Sequence, residues 1–92
     1  MSLSRARVVD RLPGVPSDPA QLALGRAVAE RRAALDLTQE QLALRAGLHQ
    51  RWISNVENGH RNPSYSSLRR LAVGLELATS ELIQRAERAG SP

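Results

Sequence analysis

An all-α domain is the fold the sequence predicts, and three observations predict it. Hydrophobic residues are 41% of the 92, but they are mostly Leu and Ala, with no Phe. Leu and Ala are the material of packed helices. Ten Val, Ile and Thr residues are spread along the chain, too few to build a sheet. Apolar residues also recur at helical spacing between recognisable start and stop signals. The length suits one domain with a modest core.

Residues 12–19, "LPGVPSDP", hold three prolines and a glycine, so residues 1–18 read as an arm ending in a turn. Residues 19–90 read as the folded domain. Asp18 is a natural N-cap with Pro19 at the first helical position, where its missing N–H costs nothing. Leu24, Val28 and Leu35, interleaved with Ala27 and Ala34, place a first helix at about 19–35. Thr38 with Gln41 forms a capping box, and Gly47 can take the left-handed conformation that stops a helix, which gives a second helix at about 39–46. A third must start almost at once, because Ile53 and Val56 have helical spacing and Asn58-Gly59 ends the run. Its expected cap is His49, a poor one, since imidazole is not a favoured capping group. Ser64 caps a fourth helix at about 65–76, carrying Tyr65, Leu68, Leu71, Ala72 and Leu75. Thr79 is the expected cap of a fifth, carrying Leu82, Ile83 and Ala86 and ending at Gly90.

Two short helices joined through a glycine within some twenty residues form a helix-turn-helix layout. Ala43 falls where the second helix must be crossed closely. Leu42, Ala46, Leu48, Ile53 and Val56 make the inner face. Gln50, Arg51, Ser54 and Asn55 are left on the outer face of the third helix, which in this layout lies in the DNA major groove. Gln and Asn match the N6 and N7 of adenine, and the Arg fork matches guanine O6 and N7. An ordinary solvated face is the competing reading for a lone helix. The register of small, glycine and apolar positions favours DNA.

Charge agrees. There are 13 basic against 9 acidic residues, a formal +4, and every basic residue is Arg. Arginine favours planar bidentate partners such as phosphate and guanine edges, although a GC-rich coding sequence also yields arginine for lysine. With no Cys, thiolate metal sites and disulfides are excluded. His49 and His60 match no metal motif, no acidic pair stands near them, and no phosphate-cradling glycine loop exists. Neither an enzyme nor a bound metal or cofactor is expected. No apolar run approaches a membrane span and no signal-peptide core opens the chain, so a cytoplasmic protein is expected.

From "LGRAVAERRAALDLTQEQLALRAG" through "NPSYSSLRRLAVGLEL", residues 24–77, the chain resembles the Cro/repressor-type (XRE) helix-turn-helix family, a match that extends over about residues 22–83. The most specific pieces are "LTQEQLA", "ISNVENG" and "RNPS". "GLHQRWIS" is also similar to controller proteins of restriction–modification systems. The resemblance implies a compact five-helix, lambda-repressor-like domain, a transcriptional role, and a homodimer on a palindromic double-stranded operator. By matching position, Gln50, Arg51, Ser54 and Asn55 face bases. Gln39 meets phosphate from the start of the second helix, and Asn58 and Arg61 meet the backbone after the third. His49 and Trp52, at the rim of the recognition helix, are further backbone candidates. For Trp52 two readings stand: the indole N–H meets a phosphate, or the ring folds back over the second helix. The resemblance also implies an ion pair between Arg32 and Glu57.

The chain departs from the family at two positions. His49 stands in place of the usual Ser or Thr cap, and Glu76 stands where Gly is common. The arm carries Arg5, Arg7 and Arg11, which either follow a minor groove or belong to a tail without DNA contact. A dimer surface is expected on the fifth helix and its preceding loop, at Leu77 and Ile83, with Leu82 inward. An antitoxin or co-regulator whose main role is to bind another protein is the alternative function, because the same fold serves both.

Overall fold

The computed structural model describes residues 18–90, which form five helices and no strand. They are α1 (Pro19–Ala34), α2 (Gln39–Ala46), α3 (Gln50–Glu57), α4 (Tyr65–Gly74) and α5 (Thr79–Ala89). The arm, with Arg5, Arg7 and Arg11, lies outside the described residues apart from Asp18. No described helix is long and apolar enough to cross a membrane.

The starts of the helices follow the local chemistry. The Asp18 carboxylate accepts from the Ala20 N–H at 2.8 Å. Thr38 Oγ1 accepts from the Gln41 N–H at 3.0 Å, while Gln41 Oε1 accepts from the Thr38 N–H at 2.9 Å. Ser64 Oγ accepts from the Ser67 N–H at 3.2 Å. His49 contributes no side-chain cap bond to α3. His49→Ser is therefore expected to supply the missing acceptor and raise stability by about 1 kcal/mol. A thermal melt with no upward shift would show that the N-terminus of α3 is already satisfied by solvent.

Two helix boundaries differ from expectation. Thr79 does not cap α5. Ala78 holds the N-cap position, and Glu81 Oε1 accepts its N–H at 2.9 Å, so Thr79 is already the first helical residue. The fourth helix stops at Gly74, two residues early, because Glu76 turns left-handed at φ 59°. The Glu76 N–H then donates to Val73 O at 3.1 Å and the Leu77 N–H to Ala72 O at 2.9 Å, which satisfies carbonyls the helix would leave open. Asp36 ends α1 in the same way, at φ 60°. The missing glycine at 76 thus leaves the turn formed, at a cost of roughly 1 kcal/mol. Arg45 Nη1 contacts Glu76 Oε2 at 2.8 Å, but both side chains are exposed and the pair adds little.

The core is aliphatic. Val28, Leu42, Ile53, Val56, Leu71, Leu75 and Leu82 are its largest fully buried side chains. Each contributes about 1.5–3 kcal/mol of apolar burial. Ala43 and Ala46 are buried where α2 meets its neighbours, and Leu48 is half-buried against the core. Ala34, expected to interleave the first stripe, is exposed instead, and Leu35 is half-buried as the C-cap. The helices pack as α1 on α5 and α3, and α2 on α4 and α3, with α4 on α5. This arrangement packs α3 against both α1 and α2 and leaves Gln50 and Arg51 exposed.

Candidate nucleic-acid interface

The site begins at Gly47. Its left-handed backbone (φ 68°, ψ 37°) stops α2, and the Leu48 N–H donates to Ala43 O at 2.9 Å, so α3 starts three residues later in a new direction. Ile53 and Val56 fix the rotation of α3 by their complete burial. Gln50 and Arg51 are consequently exposed, with Ser54 and Asn55 half-buried on the same side. These four line one shallow depression together with Gln39, the first residue of α2. The five side chains belong to two helices and form one surface.

The remaining predicted DNA contacts lie on α3, at its two ends and in the loop that follows it. His49 is exposed at the start of α3, Asn58 is the exposed C-cap at its end, and Arg61 is exposed in the following loop. Trp52 is half-buried and packs against the core cluster. No described residue bonds its indole N–H. The ring therefore has a packing role whatever its N–H meets.

Behind the depression stands an ion pair. Arg32 Nε lies 2.7 Å from Glu57 Oε2 and Nη2 lies 3.0 Å from Oε1. Arg32 Nη1 also donates to Leu37 O at 2.8 Å. The pairing implied by the family resemblance is thus present, in its bidentate form. The Glu57 hydrogen bond holds the Arg32 guanidinium above its ordinary pKa, against the opposing effect of burial. Gln39 Nε2 donates to Glu57 Oε1 at 3.0 Å, a contact the sequence reading missed. No local signal announces it, because Gln39 and Glu57 are 18 positions apart and meet only when α2 and α3 are folded.

Among the described residues no group of three or more His, Asp or Glu side chains is placed to hold a metal ion. The surface has hydrogen-bonding groups with mixed donors and acceptors, and Arg51 as its cation.

A family model described as helix-turn-helix (HTH_3) matches residues 28–82. The chain belongs to the XRE-type helix-turn-helix family. The family is one of DNA-binding regulators, not enzymes. Control protein C.MunI from Mycoplasma sp is 36% identical over 58 residues, which are 63% of this chain and 78% of that protein. An uncharacterised HTH-type transcriptional regulator, y4dJ from Sinorhizobium fredii (strain NBRC 101917 / NGR234), is 37% identical over 60 residues, 65% of this chain and 78% of its own. In three dimensions the chain is similar to the restriction–modification controller protein C.AhdI from Aeromonas hydrophila, with a TM-score of 0.66 and 35% identity. That likeness covers 67% of this chain and 94% of the other. The expected resemblance to controller proteins is borne out.

Proposed function

We propose that the chain is a sequence-specific DNA-binding transcriptional regulator that inserts α3 into the major groove of a palindromic operator as a homodimer. The observation that carries this reading is the shared depression of Gln39, Gln50, Arg51, Ser54 and Asn55. A helix side that carries Arg, Gln and Asn suits the donor and acceptor pattern of base edges. Gln50, Arg51, Ser54 and Asn55 read bases. Gln39, His49, Trp52, Asn58 and Arg61 contact the phosphate backbone around them and fix the register without reading sequence. Kinship with C.MunI and C.AhdI supports a regulatory role.

The test is binding-site selection with the purified chain, followed by Arg51→Ala on the recovered duplex. The substitution should cost about 1–3 kcal/mol and relax preference at one base position. Uniform weakening across all sequences would make Arg51 a phosphate contact only. Recovery of no preferred site would end the reading.

The homodimer is required by information content, because one recognition helix spans too few base pairs to stand out among competing genomic sites. Two copies on a two-fold axis place half-sites about 34 Å apart. Leu77 and Ile83 are the proposed contacts. Both are half-buried, whereas Leu75 and Leu82 are wholly committed to the core. Ile83 also borders an apolar groove with Leu24, Leu68 and Ala86. Leu77→Glu with Ile83→Glu should give a folded monomer with weakened operator binding. Sedimentation of the unmutated chain as a monomer at tens of micromolar, with and without DNA, would exclude the dimer.

A further inference from the structure

The Gln39–Glu57 bond links the interior ion pair to the proposed DNA face. Glu57 has a side chain only 7% exposed, and its carboxylate accepts from three donors: Arg32 Nε, Arg32 Nη2 and Gln39 Nε2. A carboxylate only accepts, so it dictates which end of the Gln39 amide turns towards it. The nitrogen faces Glu57. The second N–H of that nitrogen and the amide carbonyl make no bond within the described protein. Gln39 meanwhile borders the depression with the four α3 residues.

We propose that Glu57 is a positioning residue for DNA binding: its carboxylate fixes the Gln39 amide so that the remaining N–H donates to a backbone phosphate. The inference rests on the DNA-binding reading above. An acidic group beside a phosphate would ordinarily repel it. Here Arg32 neutralises the carboxylate through two hydrogen bonds, so Glu57 orients the amide without adding net negative charge to the face. Fixing the amide beforehand also removes the rotamer entropy a free glutamine would lose on binding. The same carboxylate ties α1, through Arg32, to the first residue of α2 and the last residue of α3. The phosphate contact and the base-reading helix are thereby held in one register.

Affinities would be measured on the duplex recovered by binding-site selection with the unmutated chain. The variants are Gln39→Ala, the paired replacement Arg32→Met with Glu57→Met, and all three substitutions together. The paired replacement removes the acceptor for Gln39 without stranding a charge. It should weaken binding about 10-fold, as should Gln39→Ala, and the triple variant should bind no more weakly than Gln39→Ala alone. A purely structural role for the ion pair would weaken binding equally with or without the Gln39 amide, and that additivity would overturn the proposal. If Glu57 instead competes with phosphate for the amide, the paired replacement would bind more tightly, which overturns it too. A second measurement needs no variant. In an NMR titration of the unmutated chain with the duplex, one Gln39 side-chain N–H resonance should move while its Glu57-bonded partner stays in place. Movement of neither, or loss of the Glu57-bonded signal, would count against positioning. If the unmutated chain binds no duplex, the DNA reading itself fails; binding that the paired replacement leaves unchanged defeats this inference alone.

Discussion

Arg32→Ala and Glu57→Ala should each destabilise the domain by about 3–5 kcal/mol, while replacing both residues with methionine should cost far less. The asymmetry follows from desolvation. Removing Arg32 leaves a carboxylate whose side chain is 7% exposed with only the Gln39 N–H to satisfy it. Removing Glu57 leaves a guanidinium that keeps its bond to Leu37 O and, at 20% exposed, can reach water. Arg32→Ala should therefore lie at the upper end of the range and Glu57→Ala at the lower. Two methionines fill the space with apolar volume and bury no charge. Urea denaturation of Arg32→Met, Glu57→Met and the pair together gives a double-mutant cycle, and a coupling energy near zero would mean that the two charges are solvated independently. The pH dependence is fixed in sign. The pKa of Arg32 is raised on folding, so its stabilising contribution is complete below the unfolded value and is lost only as pH rises through the folded one. The contribution should therefore stay constant across the neutral range.

What was legible in the sequence was what short-range chemistry decides. The caps at Asp18, Thr38 and Ser64 and the stop at Gly47 each depend on residues within a few positions, and each appears as read. The side of α3 left to solvent was also legible, because burying Ile53 and Val56 fixes where Gln50 and Arg51 must point. Thr79 misled because threonine is a good cap in isolation. The competing Glu81 side chain reaches the Ala78 N–H and moves the helix start back by one. Glu76 misled in the other direction. A residue with a Cβ normally avoids the left-handed region, and the turn between α4 and α5 nevertheless places it there. The Gln39–Glu57 bond was beyond reach, since it depends on the relative placement of α2 and α3. The pairing of Arg32 with Glu57 came only from the family resemblance. Neither spacing nor charge along the chain selects that arginine over its neighbour Arg31, which in the fold donates to Leu75 O at 2.9 Å instead.

Gly25 belongs with the long-range features, and a side chain there should be among the most damaging single changes in the protein. Nothing in its sequence context sets it apart. It lies in the interior of α1, where glycine costs roughly 1 kcal/mol against alanine in a helix. The fold explains why that cost is tolerated. A Cβ at Gly25 would stand 2.4 Å from the Val56 carbonyl oxygen and 2.6 Å from that of Glu57. These are backbone atoms at the end of α3, so they cannot swing aside as a side-chain tip would. Gly25→Val should push α1 off α3 and cost at least ~3 kcal/mol, with Gly25→Ala intermediate because its better helix propensity offsets part of the overlap. Gly47 provides the contrast. A Cβ there would meet nothing within 4 Å, but its φ is +68°, so Gly47→Ala is opposed by backbone conformation alone, about 1–2 kcal/mol. The two glycines thus fail for different reasons, and asparagine, which tolerates the left-handed region, should partly rescue position 47 but not position 25. Chemical denaturation of the four alanine and asparagine variants separates the mechanisms. A Gly25→Ala protein as stable as the unmutated chain would mean that α1 can shift away from α3 at little cost. In that case the close crossing does not fix the position of α3.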